Sequence, residues 1–562
     1  MNNSFELDFR KNGKLSVDDS ILLDKIAPIV LREYNDFTGR FIKTNKITGL
    51  STLLSATCRN ILASPVFNAF CRVALLEEKI IKGQVPTIIH VDEETEGVIK
   101  GVLEKFSLKG QVEVKSWKGT SVAIHIVFNI CKTLYYIVSG WLWAKFFKLK
   151  KKPDKSISYI DTFLFVDSIN EKGKYVDHYY PGHDHYLSQE EKLREWFAPM
   201  LFAINYPSDY IKLGKRLKKT DQNFLVQEAW LTFFDCTYAF FAALMIPLFV
   251  RKHISFRGIE TKPLLGKVIL RDIGSTALMR AISKFRFIRR LSLSGIDICN
   301  AVDWNENQVI DRALNMAFRK FYPDLIIHGY QGFPVLDYYA SLQPVSYEMD
   351  LNTLPHQLHV IGEVYKQSKL KIFDKLDVKV SPAFRYSHLF THKDKRSSGK
   401  PIVLIALPGV TEECRSILQI CVSLKKNFCN EAGFLLKIHP LYTKKRFFSL
   451  VPEFDSAMFE VTVRPIPELF EIISVLITAG SSVSVEAVSI GIPVAICGNR
   501  SGVTHNFIPE AVLKKLWSVV YTVEDLETFV RESFNIKDRK SRVHEFFQPM
   551  DKTKTRELFT CH

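Results

Sequence analysis

The sequence predicts an α/β protein: two Rossmann-like, doubly wound parallel-sheet domains facing a cleft, with membrane-seeking helical inserts in the first. Three observations carry this. After residue 400, short unbroken apolar runs (402–407, 434–440, 459–463, 475–480, 493–497) alternate with helical stretches, and unbroken apolar strands belong to sheets covered on both faces. Before 390 the same alternation recurs more loosely, beginning with strand, helix and strand over 85–117. Finally, the apolar runs 121–152 and 231–250 are too long to be strands.

Taken in order, residues 1–84 form an N-terminal helical region, with a helix over 53–82 whose apolar residues recur three and four apart. The strand 85–91 runs into an acidic loop at Asp92, a helix over 97–106 follows, and 111–117 alternates like a strand. The run 121–152 reaches the length that crosses a bilayer, but His125, Asn129 and Lys132 interrupt it. Tyr135, Tyr136, Trp141 and Trp143 precede a lysine cluster, the pattern of a helix anchored at headgroup level. The run 231–250 holds one charge, Asp235, and ends in Arg251 and Lys252. Shallow membrane contact, buried core helices and true spans all fit these two runs. The stretch 267–290 reads as strand, loop and basic helix, and 306–322 as an amphipathic helix leading into strand 323–333. Strands follow at 357–363 and 377–386, then a polar linker at 391–401. The predicted organisation is a helical region 1–84, a first Rossmann-like domain 85–390 carrying the inserts, a second over 400–545, and a tail 546–562.

A chain of 562 residues exceeds one ordinary core. The net charge, 76 − 60 = +16, favours an anionic partner: a phosphate-bearing ligand, nucleic acid or an anionic membrane face. No zinc-finger, RNA-binding or helix-turn-helix pattern is present, which sets nucleic acid aside. Ten cysteines without C-x-x-C spacing read as free, reduced thiols. The first residues lack an apolar signal core, so export is not expected.

Ligands of doubly wound sheets bind at the carboxyl ends of the strands. Gly480 ends a strand there, and Ser481 or Ser482 is placed to cap the next helix, whose free N–H groups suit a phosphate. His439 and Pro440 end another strand, and Gly409 and Thr411 a third. Three loops on one edge make a nucleotide-phosphate site, although neither G-x-x-x-x-G-K-[ST] nor G-x-G-x-x-G occurs.

With these residues in view, the second half resembles the nucleotide-binding half of GT-B glycosyltransferases. The element 434-FLLKIHP-440 is similar to the His-Pro motif of bacterial sialyltransferases and of capsule and teichoic-acid transferases. The stretch 478-TAGSSVSVEAVSIGIPVAI-496 is similar to their Ser-Ser motif with the following Glu-Ala and Gly-x-Pro. The resemblance implies a donor site at His439, Ser481, Ser482 and Glu486. The wider chain resembles bacterial O-antigen and capsule biosynthesis proteins through 177–182, 304–315, 328–334 and 355–363. The acidic-acidic-Gly base motif of the sialyltransferases is not matched; the nearest text is 92-DEETEG-97.

The resemblance implies transfer of a sugar from a nucleotide-sugar donor to a lipid-linked or polysaccharide acceptor, at the cytoplasmic face of the inner membrane. It implies no cofactor, and the lack of a suitable D-x-D agrees with metal independence. Candidate bases are Glu306, Asp92 and Asp177, then Glu348; His328, Gln331 and Glu348 are acceptor-side candidates, and Arg385 a phosphate contact. The alternatives are a polyol-phosphate transferase with a CDP-linked donor, a non-catalytic membrane-associated assembly protein and a sugar-nucleotide epimerase.

Overall fold

A computed structural model describes residues 5–561 apart from 62, 120, 336–337, 396–398, 429, 510–511, 513 and 537–538. The centre of the expected linker, 396–398, and Cys429 therefore lie outside the described residues.

Three parallel sheets organise the chain. The first is small: β1 (Glu6–Asp8), β2 (Ile88–Asp92) and β3 (Glu113–Trp117), side by side in that order. The second begins with β4 (Ile157–Leu164) and β5 (Glu195–Leu201). A short antiparallel hairpin, β6 (Ser255–Phe256) with β7 (Ile259–Glu260), intervenes. The second sheet is completed by β8 (Ile298–Trp304), β9 (Ile327–Gln331), β10 (Gln357–Val360) and β11 (Asp377–Val380), in the order β11-β10-β9-β8-β4-β5. The third holds β12 (Ile402–Ala406), β13 (Gly433–Lys437), β14 (Glu460–Val461), β15 (Val475–Thr478), β16 (Val494–Cys497) and β17 (Trp517–Val520), in the order β14-β13-β12-β15-β16-β17. The central strands β15 and β16 are buried at every residue, as their unbroken apolar sequences require. Two six-stranded, doubly wound sheets in succession are the predicted GT-B arrangement.

Strand order fixes where each sheet opens. Chain order reverses between β4 and β8 in the second sheet and between β12 and β15 in the third. At such a reversal the two connections leave on opposite faces and a crevice forms beyond the carboxyl ends.

The first half departs from the predicted layout. Strand 88–92 pairs with β1 and strand 113–117 with β2, rather than either joining the large sheet. They share a core with helices Val17–Asn45, Val66–Ile81 and Glu96–Lys105. This N-terminal unit also reaches the third sheet: Leu15 N–H donates to Arg500 O at 2.8 Å, and Thr504 N–H to Asp24 Oδ1 at 2.8 Å. Residues 267–272, the start of the stretch read as strand, loop and basic helix, instead end the helix Lys262–Asp272, because a short apolar run fits either period. The C-terminal segment crosses back to the second sheet. Ala383 N–H donates to Gln548 O, Gln548 N–H to Ile361 O, and helix Lys552–Phe559 lies on β8, where Asn300 donates to Leu558 O at 3.0 Å. Gly362 allows the crossing, since a Cβ there would sit 2.1 Å from Phe546 O. Cys299 and Cys561 are joined by a disulfide, so the thiols are not all free as predicted; the crossing brings residues 262 apart in sequence together.

One buried ion cluster ties the units together. Glu348 is fully buried; its Oε2 accepts from Arg59 at 2.9 Å and its Oε1 from Arg312. Arg59 belongs to the N-terminal unit and Arg312 to helix Val309–Phe321 behind β8. Removing one partner of a buried pair strands the other charge, at a cost of roughly 3–5 kcal/mol. Glu348→Gln is therefore expected to lower the thermal unfolding midpoint sharply, whereas an unchanged midpoint in calorimetry refutes the role given to the cluster.

Candidate active site

The reversal in the second sheet places Glu306 just beyond β8. Its Oε1 accepts from Trp304 Nε1 at 3.0 Å and its Oε2 from Gln308 Nε2 at 2.5 Å. Asp311 Oδ2 accepts from the backbone N–H groups of Glu306 and Gln308, both at 3.0 Å, which fixes the turn into the helix. Between them Asn307 takes a left-handed backbone, φ 50°, which asparagine tolerates better than most residues. Its side chain donates to Ser341 O at 2.8 Å and to Glu348. The carboxylate of Glu306 is thus aimed by two layers of hydrogen bonds. Burial raises its pKa above the ordinary glutamate range, against the pull of the Trp304 and Gln308 bonds and the Arg385 charge.

An aromatic wall surrounds Glu306. Tyr179 packs on Trp304 with ring centroids 4.6 Å apart, and Phe333 lies on the same indole at 5.7 Å. Arg385 is exposed, its guanidinium carbon 5.9 Å from the Trp304 ring centroid.

The reversal in the third sheet gathers the glycine and histidine loops. Tyr442 OH donates to Gly409 O at 2.8 Å, and Thr411 Oγ1 lies 3.4 Å from the same hydroxyl. A Cβ on Gly409 would stand 3.7 Å from His439 Cε1, so these two loops touch. Beyond Pro440, Leu441 N–H donates to His439 Nδ1 at 3.2 Å. Burial lowers the His439 pKa, which favours neutral imidazole. With Nδ1 accepting, the ring proton of the neutral form sits on Nε2, leaving an N–H donor. A Cβ on Gly480 would come within 3.0 Å of His505 Cβ, and burial holds His505 down to about 4.

The two edges meet along the segment Phe384–Thr391. Tyr386 lies beside Ser482, whose side chain acts on its hydroxyl, and stacks on Phe547 at 4.6 Å. His388 Nε2 lies 3.3 Å from Glu486 Oε2. Arg385, the residue before Tyr386, acts on Glu306. Glu306 and Arg385 on one side therefore share a segment with Ser482 and Glu486 on the other.

The structure does not gather every predicted residue here. Ser482 caps nothing: it is αR, makes no side-chain cap bond, and the helix Val483–Ser489 is only 7 residues long. Its side chain lies beside Tyr386 instead. Ser481 O accepts from Ser484 Oγ at 2.7 Å, which holds the turn. Asp177 Oδ1 accepts from the N–H groups of Tyr179 and Tyr180 at 2.8 and 3.0 Å, so it shapes the loop that presents Tyr179. Asp92 ends β2 in the small sheet, not at either reversal, and accepts from Lys11 N–H at 2.7 Å. Glu348 is spent on Arg59 and Arg312. His328 lies within β9 with Nδ1 2.9 Å from His359 Nε2, and Gln331 is buried at the strand's end, donating to Leu342 O at 3.4 Å. Trp304, Tyr179, Tyr386, His388 and His505 were not singled out from the sequence. Near Trp304 the sequence offers only the polar clump 303–308 ahead of a helix, and isolated aromatics and histidines in loops carry no spacing signal. Among the described residues no group of three or more His, Cys, Asp or Glu side chains could hold a metal.

No family model matches the chain, and no curated protein does. Solved structures similar to it include S. aureus MnaA with UDP, at 11% identity and a TM-score of 0.38, over 72% of this chain and 95% of that one. Acinetobacter baumannii MurG is similar at 9% identity and 0.38, over 72% and 99%. The wall teichoic acid polymerase TagF is similar at 10% identity and 0.36, over 77% and 96%. Likeness this distant says nothing about ligand or reaction.

Because the fold raises the Glu306 pKa, it favours the protonated form. The stability Glu306 contributes is full at acid pH, below the unfolded-state value, and declines as pH rises through the folded value. Glu306→Gln mimics the protonated state. Thermal melts are expected to show the variant gaining on the parent from acid to neutral pH; a pH-independent difference contradicts the shift.

Proposed function

We propose that the chain is a glycosyltransferase that moves a sugar from a nucleotide-sugar donor to an acceptor hydroxyl. The observation that carries this is the convergence along Phe384–Thr391: a raised carboxylate and an exposed guanidinium on one side, and the Gly480–Ser482 turn on the other. In this reading the third sheet binds the donor's nucleoside diphosphate beside Gly409, His439 and Gly480, and the acceptor enters beside Trp304 and Tyr179.

Glu306 takes the proton from the acceptor hydroxyl as its oxygen bonds to the anomeric carbon. The bond from that carbon to the phosphate oxygen breaks, and the nucleoside diphosphate leaves with the electron pair. Arg385 and the His439 Nε2–H meet the charge that develops on the phosphate. Burial suits Glu306 to this work, since a carboxylate with a raised pKa is a stronger base. The acceptor is a lipid-linked intermediate of a surface polysaccharide such as O-antigen or capsule, met at the cytoplasmic face of the inner membrane. The stretches that resemble such biosynthesis proteins and the exposed apolar helices of the first half support that assignment.

A thermal-shift panel with CMP, CDP, UDP, GDP and dTDP tests the donor site. One nucleotide at a hundred times its dissociation constant is expected to add about 2.7 kcal/mol of stability, and His439→Ala to lose that shift. Glu306→Gln is expected to keep the shift but lower kcat by roughly 10²–10⁴, the usual share of a general base. If no nucleotide shifts the melt at millimolar concentration, the transferase reading falls.

A further inference from the structure

The helix Val122–Phe146 is, among the described residues, the one long and apolar enough to cross a bilayer by length and composition. Its packing points elsewhere. Gly140, Trp143 and Ala144 are buried on one side; Asn129 Nδ2 donates to Arg271 O at 3.1 Å, Thr133 Oγ1 to Gly274 O at 2.8 Å, and Trp141 Nε1 to Leu231 O at 3.1 Å. These bonds run along some 18 Å of helix at 1.5 Å per residue. One side is thus pinned lengthwise to the second sheet's domain. The other side presents Ile124, Val127, Phe128, Leu134, Val138 and Leu142 to solvent, a stripe at helical spacing.

A second apolar ridge lies beside it. Helix Phe233–Met245 and the turn Ile246–Phe249 expose Phe234 at 76%, Phe241 at 57% and Phe249 at 70%. The two helices meet at Gly274, where a Cβ would lie 2.9 Å from Ile130 and 3.2 Å from Leu244. Asp235, the one acid of the second helix, is buried between Arg286 and Arg290, each at 2.5 Å. Burial opposes its ionisation, but bonds from Arg290, Thr232 and Arg286 hold it down to about 2.

The segment that carries this face has one sign of charge: residues 121–153 contain six lysines and no aspartate or glutamate. Lys132 lies 5.9 Å from the ring centroids of Phe128 and Tyr136, and Lys150 lies 4.6 Å from that of Trp230. Aromatics carrying lysines beside an apolar ridge suit the boundary between acyl chains and anionic headgroups.

We infer that helices Val122–Phe146 and Phe233–Met245 together form a docking face that lies in the plane of an anionic lipid leaflet, dipping into it without crossing. The pinned side stays on the protein, the exposed ridges enter the acyl region, and the lysines of 145–152 meet lipid phosphates. This deepens the membrane placement proposed above, but its test reads lipid binding alone and is blind to sugar transfer.

The experiment is flotation of the purified full chain with phosphatidylcholine vesicles, with and without phosphatidylglycerol. Binding is expected to need the anionic lipid and to weaken with salt. Leu142→Glu with Phe241→Glu is expected to cut the bound fraction at least about tenfold, since each buries a charge in the acyl region. Phe234→Glu with Phe249→Glu serves as a second pair, and circular-dichroism melts confirm that each variant folds. Release from vesicles by alkaline carbonate supports in-plane docking, and retention overturns it in favour of a span. Failure to float, or flotation untouched by both pairs, overturns the inference. Self-association abolished by the same substitutions, without lipid binding, assigns the face to a second copy of the chain and overturns it too.

Discussion

The carboxylate of Glu348, held between the guanidiniums of Arg59 and Arg312, is the constraint from which the rest of the first half follows. A charge at zero exposure survives only where its partners are supplied in full. Glu348 has both arginines, the Val345 N–H at 3.1 Å and the amide of Asn307. The two arginines come from distant stretches of chain, so the cluster forms only when the N-terminal unit, the helix behind β8 and the Ser346–Asp350 turn have come together. It also reaches the cleft in one step, because Asn307 is the neighbour of Glu306. Stability and aim share one set of atoms.

The cleft is arranged by contrast of environment. Glu306 sits among aromatic rings and loses water, which raises its affinity for a proton. His439 loses water too, but as a base it is pushed the other way and rests neutral. The same physical cause therefore gives an acid more basic than usual on one edge and a histidine that donates without charge on the other. Arg385 stands exposed beside Glu306, its guanidinium free to meet an anion.

Much of the third sheet was legible because its strands are buried on both faces and so carry unbroken apolar runs with turn residues at their ends. That places Gly480 and His439 at carboxyl ends from the residue pattern alone. The first half was less legible. A local run such as 111–117 says strand, but nothing local says which sheet it joins, and it joined β2 in the small sheet. Polar residues misled for a related reason. Asp177, Glu348 and His328 look reactive in the sequence, yet each is spent on protein partners that spacing cannot reveal. Tyr386 and His388 gain meaning only from Ser482 and Glu486, about a hundred residues away.

The returning C-terminal segment has a consequence for how the chain is made. Helix Lys552–Phe559 covers β8, and Asn300 finds its acceptor 258 residues downstream. A chain emerging from the ribosome in order can assemble the third sheet's domain while the second sheet still shows a bare flank. The earlier domain is then the later one to finish, because its β8 face waits on residues 552–559 that are made after the third sheet.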